Sequence, residues 1–207
     1  DVAKFLEHGV AVHGNLKNLL DEQINRLSTL GAEILFWLAI ERETITLTDL
    51  ESDVVYWLAI NGERGSIQSL KYDIDGVTPV SRRSIMEAVD NLDRKSLIER
   101  NQGRFTLQPV IMEHIVEKLV GEILREIKTK NIKLLRSHAI IKAQSKEYIR
   151  LSQTRLILDP LCQILLSSLE RKQLWDNFAD ILSQARASNT HPTGYIAGNI
   201  LNILACL

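Results

Sequence analysis

The sequence predicts a mainly α-helical protein, in which a winged-helix domain with one β-hairpin wing is followed by an α-helical arm. Leucine and isoleucine dominate the apolar residues, and 207 residues include only 10 Gly and 4 Pro, which favours helices over many-turned β structure. Between Pro79 and Lys128 a helical pattern, a hairpin signal and a second helical pattern follow one another. From Thr129 onward the chain shows further helical pieces without strand alternation.

Composition and charge narrow the classes of function. The formal net charge of −1 gives no overall attraction to nucleic acid or to an anionic membrane. No stretch approaches the roughly 18 uninterrupted apolar residues that a membrane span requires. Cys162 and Cys206 lie far apart in the sequence among apolar residues, so two reduced, buried thiols in a cytoplasmic protein are expected, not a disulfide framework.

The two ends of the chain are expected to continue into other regions. Residues 1–27 place apolar side chains at helical spacing, interrupted at Gly9 and Gly14, and are predicted to end an upstream helical subdomain. Residues 200–207 are mostly apolar and carry no polar cap, so they are expected to lead onward.

An internal duplication follows the first segment. The sequence FWLAI at 36–40 is echoed by YWLAI at 56–60. It predicts two similar helices over 28–41 and 48–61, whose tryptophans pack in the core. Their predicted N-caps are Ser28 and Thr48.

The winged-helix domain is predicted over 28–128. After the second copy, glycines end the helix and a short helix over 66–73 follows. Ser81 suits the N-cap of a helix over 81–95. The turn sequence Asn101-Gln102-Gly103 separates two strand-like runs and predicts a hairpin over 97–108.

A long amphipathic helix is predicted over 109–128, with Pro109 in its first turn. Its apolar stripe is continuous and must be buried, whereas His114 lies outside the stripe and is expected to be a surface histidine. The arm over 129–207 is predicted to contain four helices, 130–148, 151–168, 170–187 and 193–206.

Basic residues are concentrated at the start of this arm. Between Arg125 and Arg150 there are eight basic residues and two acidic ones. A solvated helix face is the default interpretation, and contact with nucleic acid or an acidic partner stays open.

The sequence shows no catalytic constellation and no metal site. The glycines at 62 and 65 lead to Ser66 without the lysine of a phosphate-binding loop. The five histidines show no metal-ligand spacing, and neither cysteine has a neighbouring histidine that could activate it. The chain alone is therefore not expected to be an enzyme.

Nucleic-acid binding was considered for the predicted winged helix, where basic side chains would contact phosphate. The candidate residues are Arg82, Arg83, Arg94, Lys95, Arg100 and Arg104. Four acidic residues, Glu87, Asp90, Asp93 and Glu99, lie among them. Nearly balanced charge leaves little counterion release to drive binding, so nucleic acid is an unlikely partner.

Several runs in order resemble the STAND-class NTPases with an NB-ARC core, of the cyanobacterial type that ends in WD-repeat or pentapeptide-repeat arrays. The runs are LLDEQINRLSTL, VVYWLAIN, VSRRSIMEAVDNLDRKSLIER, RFTLQPVIMEHIVEKLV and TGYIAGNILNILACL. The resemblance implies that 1–27 ends a helical subdomain, 28–128 is the winged helix and 129–207 leads to a repeat array. It implies ADP or ATP with Mg in the parent protein and no cofactor on this chain alone.

The resemblance also implies a nucleotide-sensing position. A Met-His-Asp motif after the wing of these proteins corresponds to Leu107, Gln108 and Pro109 here, so Gln108 replaces the histidine. Glutamine can donate a hydrogen bond but cannot carry the charge of an imidazole. A turn residue without a nucleotide role is the competing interpretation of Gln108.

The implied function is a regulatory and transmission module that packs on the nucleotide-binding core of its own chain and relays the ADP/ATP state, with oligomerisation on activation. The alternative is a winged-helix transcriptional regulator with a helical effector or dimerisation region. A helical scaffold without a switch is a third hypothesis.

Overall fold

The computed structural model describes residues 16–61, 81–187 and 194–207, with the backbone alone at 56–61. The N-terminal elements are α1 (16–25), α2 (Thr29–Glu41), β1 (Ile45–Thr46), α3 (Leu47–Asn61), α4 (Arg82–Arg94), β2 (Ile98–Asn101) and β3 (Arg104–Leu107). The C-terminal elements are α5 (Pro109–Thr129), α6 (Leu134–Ser137), α7 (Glu147–Gln153), α8 (Asp159–Ser168), α9 (Arg171–Ala187) and α10 (Ile196–Cys206). A π-helical turn, Thr154–Leu158, joins α7 to α8. The predicted mainly helical fold is confirmed.

Local side-chain hydrogen bonds set the starts of the N-terminal helices. Ser28 accepts from the Gly31 amide and Ser81 from the Ser84 amide, each at 3.1 Å, as predicted. The cap of α3 is Thr46, not the predicted Thr48. Thr46 Oγ1 accepts from the Asp49 amide at 3.3 Å and Asp49 Oδ2 accepts from the Thr46 amide at 2.9 Å, a reciprocal capping box.

The described strands form one antiparallel sheet in the order β1-β3-β2. The β2–β3 hairpin forms at the predicted turn, where Gln102 and Gly103 have φ of 49° and 77°, the positive values of a two-residue hairpin loop. Strand β1, which pairs Ile45 with Phe105, is not predicted by the sequence pattern. The predicted helix over 66–73 lies outside the described residues.

The buried apolar side chains of the described residues form one contiguous core that runs from α1 to α10. Helix α2, whose Trp37 is fully buried as predicted, packs on α3, α4, α5 and β3. The side chain of Trp57 lies outside the described part of the chain. Helix α5 extends the core by packing on α2 and on α6, α8 and α9, and α10 packs on α6, α8 and α9.

The polar face of α5 is less exposed than the sequence predicts. His114 is buried, and its Nε2 lies 3.0 Å from Asp21 Oδ1, which also accepts from Lys118 Nζ at 2.6 Å. Hydrogen bonds from Lys118 and His114 lower the pKa of Asp21. The expectation of a surface histidine is wrong because α1 brings a carboxylate to the ring.

The predicted helix over 130–148 is wrong. Helix α5 ends at Thr129, Lys130 takes a left-handed conformation with φ of 59°, and only Leu134–Ser137 is helical before α7. We call residues 130–146 the connector. In contrast, α7, the π turn and α8 run as a nearly continuous helical stretch that covers the predicted 151–168, and α9 and α10 agree closely with prediction.

Candidate functional site: the connector and its buried polar contacts

Gln108, the predicted nucleotide-sensing residue, lies at the junction between β3 and α5. It is the N-cap of α5, with φ of −61° and ψ of 147°, and its carbonyl oxygen accepts from the Met112 amide at 2.8 Å. The half-buried Gln108 side chain forms no capping hydrogen bond within the described part of the chain. The side-chain amide of Gln108 is therefore not used to cap α5.

Four of the six basic residues considered for nucleic-acid binding interact with acceptors from the protein itself. Arg82 pairs with Glu51 of α3 at 2.9 Å, and Arg83 pairs with Glu87 at 2.9 Å. These acceptors reduce the charge that the exposed face of α4 can present to phosphate.

The hairpin arginines are engaged in the same way. Arg100 lies 3.2 Å from Asp90 of α4 and over the ring of Phe105, and Arg104 donates to the Thr44 carbonyl oxygen at 3.1 Å. Arg94 and Lys95, at the C-terminal end of α4, form no ion pair with the described residues.

The connector is attached to α5 through a buried carboxylate. Glu126 accepts from the amides of Leu134 and Leu135 at 2.8 Å and 2.9 Å, which satisfies the first donors of α6. Burial raises the pKa of Glu126, and these amide donors oppose part of the effect. A side chain from the preceding helix therefore takes the role that a local cap has elsewhere.

A second buried cluster attaches the connector to α2. His138 is fully buried, stacks on Trp37 with ring centroids 4.2 Å apart, and places Nε2 3.5 Å from Glu33 Oε2. Lys133 lies 3.1 Å from the other oxygen of Glu33. Burial raises the pKa of Glu33 and lowers that of His138 to about 3, so the imidazole is neutral.

A third cluster surrounds Lys142. Its ammonium group contacts Glu41 of α2, lies 3.0 Å from Asp53 Oδ1 of α3, and lies 5.6 Å from the centre of the Trp37 ring. Burial opposes the charge of Lys142, but the carboxylates of Asp53 and Glu41 outweigh it and raise the pKa of this lysine. Burial raises the pKa of Glu41 to about 7.

Two buried amide side chains complete the attachment. Asn199 of α10 accepts from the Ile140 amide at 2.9 Å and donates to the carbonyl oxygens of Leu135 and His138 at 2.8 Å and 2.7 Å. Gln153 donates to the Ile40 carbonyl oxygen at 2.8 Å and accepts from the Lys142 amide at 3.1 Å. The connector is therefore held by α2, α3, α5, α7 and α10.

The basic run identified in the sequence is not a helix face. Several of its side chains pair with acidic groups of distant elements, including Lys130 with Asp180 at 2.5 Å and Lys146 with Glu43 at 3.0 Å. Lys133 and Lys146 remain exposed to solvent, as the solvated-face interpretation expects, whereas Lys130 and Lys142 are half-buried, Lys130 against Asp180 of α9 and Lys142 against α2 and α3.

The surface has two open clefts, one beside the connector and one beside α4. One of about 470 Å³ lies between the connector and α10, with Lys142, Tyr195 and Leu201 in its lining, and one of about 350 Å³ lies between the α1–α2 corner and α4. Within the described ranges, no group of three His, Cys, Asp or Glu side chains is placed to hold a metal ion. No described helix is long and apolar enough to cross a membrane.

The chain is similar in sequence to a much longer protein. It is 32% identical, over an alignment of 241 positions that covers 99% of this chain, to an uncharacterised WD repeat-containing protein of Nostoc sp. (strain PCC 7120). The chain spans only 17% of the length of that protein. No protein-family model matches the chain, and no solved structure matches it.

Proposed function

We propose that this chain is the winged-helix and helical transmission module of a signal-transducing STAND NTPase with an NB-ARC core. The observation that carries the proposal is the connector, which buried side chains attach to elements on both sides of it. Such an attachment lets the N-terminal elements and the C-terminal helices move as one body. A movable rigid body is what a relay between a nucleotide site and a distant sensor requires.

The order of the N-terminal elements supports the winged-helix part of the proposal. A helix, a strand and a second helix, α2-β1-α3, precede α4 and the β2–β3 hairpin, and β1 closes the sheet against β3. In this interpretation α2 is the first helix of the winged helix, α4 is the third, and the hairpin is the wing.

The comparison supports a place within a longer protein. The relative carries WD repeats by its name, and this chain matches a short part of it. We propose that the parent of this chain likewise combines the module with a repeat array that contacts other proteins. Its nucleotide-binding core would bind ADP or ATP with Mg and pack against the module.

Gln108 is the proposed contact of the module with nucleotide. Its side chain is not used to cap α5, and it lies where β3 turns into that helix. A neutral amide there would donate a hydrogen bond to phosphate. Unlike a histidine, it cannot carry a positive charge that attracts the phosphate.

The alternative function, a winged-helix DNA-binding regulator, is favoured by the exposure of the arginines on α4 and the hairpin. Their pairing with Glu51, Glu87 and Asp90 opposes it, because each pair must be broken before phosphate can be contacted.

Hydrogen exchange on the parent polypeptide tests the first proposal. Exchange is measured once with ADP bound and once with a non-hydrolysable ATP analogue bound. The protection of amides around Gln108 and on the exposed face of α4 should differ between the two states. The connector amides of Ile140 and Lys142 should stay protected in both. Exchange that is identical in the two nucleotide states throughout the module would refute the relay.

Two assays on purified residues 1–207 separate the alternatives. We expect no ATP turnover, and no shift of duplex DNA mobility at 150 mM salt. Binding of duplex DNA that weakens steeply between about 50 and 200 mM salt would instead support the regulator. ATP turnover that persists through stringent purification would show that the chain is itself an enzyme.

A further inference from the structure

The two cysteines face each other across the contact between α8 and α10. Cys162 Sγ lies 3.8 Å from the Ile203 carbonyl oxygen, and Cys206 Sγ lies 3.6 Å from Asp159 Oδ1. Asp159 and Ile203 are each three residues from the cysteine of their own helix, about one helical turn. Both contacts therefore place the thiols on facing sides of the two helices.

We propose that Cys162 and Cys206 are a redox-active pair that forms an intramolecular disulfide when the protein meets a peroxide. Both are free thiols in this structure, Cys162 buried and Cys206 half-buried in the last turn of α10. The predicted free thiols are found, although Cys206 is only half-buried, and the packing of α10 on α8 brings the two cysteines together.

The two thiols differ in burial, and this difference indicates which of them reacts first with peroxide. Burial and then the contact with Cys206 raise the pKa of the Cys162 thiol, so it stays protonated and shielded from solvent. Cys206 is the more exposed sulfur and meets the oxidant first. Cys162 then acts as the resolving thiol.

The reaction balances with one hydrogen peroxide. Cys206 loses its proton to water, and its sulfur attacks one peroxide oxygen; an S–O bond forms, the O–O bond breaks, and the leaving hydroxide takes up a proton to become water. Cys162 sulfur then attacks the sulfenic sulfur; the S–S bond forms, the S–O bond breaks, and the hydroxyl leaves as water with the Cys162 proton. Two thiols lose two electrons and one peroxide becomes two waters.

The disulfide would lock α10 onto α8. Asn199, which holds the connector at Leu135, His138 and Ile140, belongs to the same α10 helix. Oxidation would therefore strengthen the attachment of the connector to the C-terminal helices. Closing the long loop between the cysteines should raise the melting temperature by roughly 5–15 °C.

The test uses purified residues 1–207 and a small molar excess of hydrogen peroxide. We expect a monomer whose cysteine peptides have lost two hydrogen masses and resist alkylation after unfolding in denaturant, with reversal by dithiothreitol and the rise in melting temperature given above. Peptide mapping keeps oxidation of Met86, an exposed methionine, apart from the cysteine chemistry.

Two variants sharpen the result. In Cys162→Ser, Cys206 should take up oxygen or form disulfide-linked dimers, whereas in Cys206→Ser, Cys162 should stay unreacted over the same time. Cysteines of the unsubstituted protein that remain open to alkylation after peroxide, or that gain oxygen without forming the internal bond, would overturn the proposal.

Discussion

At His138 one hydrogen-bond arrangement places the ring proton on Nδ1. In this arrangement Ser137 Oγ donates to the Lys133 carbonyl oxygen at 3.0 Å and accepts from His138 Nδ1–H at 2.8 Å. That leaves Nε2 as an acceptor facing Glu33 Oε2, and both atoms lack a hydrogen-bond partner among the described residues. Burial raises the pKa of Glu33, and a proton on Oε2 would supply the donor that this pair of atoms needs.

Replacing Glu33 by glutamine tests this assignment. Glu33→Gln should leave the free energy of unfolding unchanged or raise it by up to about 1 kcal/mol, because the amide donates to His138 and still accepts from Lys133. Glu33→Ala should lower it by about 2–4 kcal/mol, since His138 loses its partner beside a cavity. Urea unfolding at pH 8 measures both variants. A loss for Glu33→Gln as large as that for Glu33→Ala would contradict the assigned proton.

Glu41 should make stability depend on pH near neutrality. Two carboxylates, Glu41 and Asp53, share the ammonium group of Lys142, and burial raises the pKa of Glu41 from 4.5 to about 7. In that window the folded state holds a proton that the unfolded chain releases, so the contribution of Glu41 is full at low pH and lost as pH rises through about 7.

Glu41→Gln should therefore flatten the fall in stability between pH 5 and pH 8 by on the order of 1–2 kcal/mol. The measurement is urea unfolding across this range. Glu87→Gln, which removes an exposed carboxylate of α4, is the matched control and should keep the slope of the unsubstituted protein. An unchanged slope in Glu41→Gln would show that Glu41 is ionised throughout.

At the scale of elements, the sequence predicts turns and helix caps correctly where the backbone groups bond to residues only a few positions away. The turn at Gln102–Gly103 and the caps at Ser28 and Ser81 follow from residue types within a few positions. The β1 strand was missed because its two residues gain strand character only by pairing with β3, about sixty positions away.

The connector was mispredicted for the same physical reason. The amide of Ile140 bonds to Asn199, and the amide of Lys142 bonds to Gln153. Such distant side-chain partners compete with helical hydrogen bonds and override the helical propensity of the sequence. The candidate site is built from these contacts, so the sequence could identify the basic residues but not what they bind.

Asn199 should be the most sensitive position of the connector attachment. Asn199→Ala should lower the free energy of unfolding by about 2–4 kcal/mol, because it leaves one buried amide and two buried carbonyl groups without their partner. Asn202→Ala, a half-buried position on the same helix, should change it by less than about 1 kcal/mol. Equal effects of the two substitutions in thermal or urea unfolding would show that Asn199 does not hold the connector.

At the scale of the molecule, the apolar core and the polar contacts of the connector both join the N-terminal elements to the C-terminal helices. One core extends from α1 to α10, and α5 is the helix that both ends share. Buried carboxyl groups lie where the connector crosses the core, at Glu33, Glu41 and Glu126. Buried polar contacts of this kind fix one arrangement of neighbouring elements, because any other arrangement leaves these groups without partners.

Native-state hydrogen exchange at low denaturant tests this coupling most directly. If the connector joins both ends into one body, amides of β3 and of α10 should reach the same opening free energy, and Asn199→Ala should lower both equally. Loss of protection confined to α10 in that variant, with β3 unchanged, would show that the two ends open independently and would contradict the proposed relay.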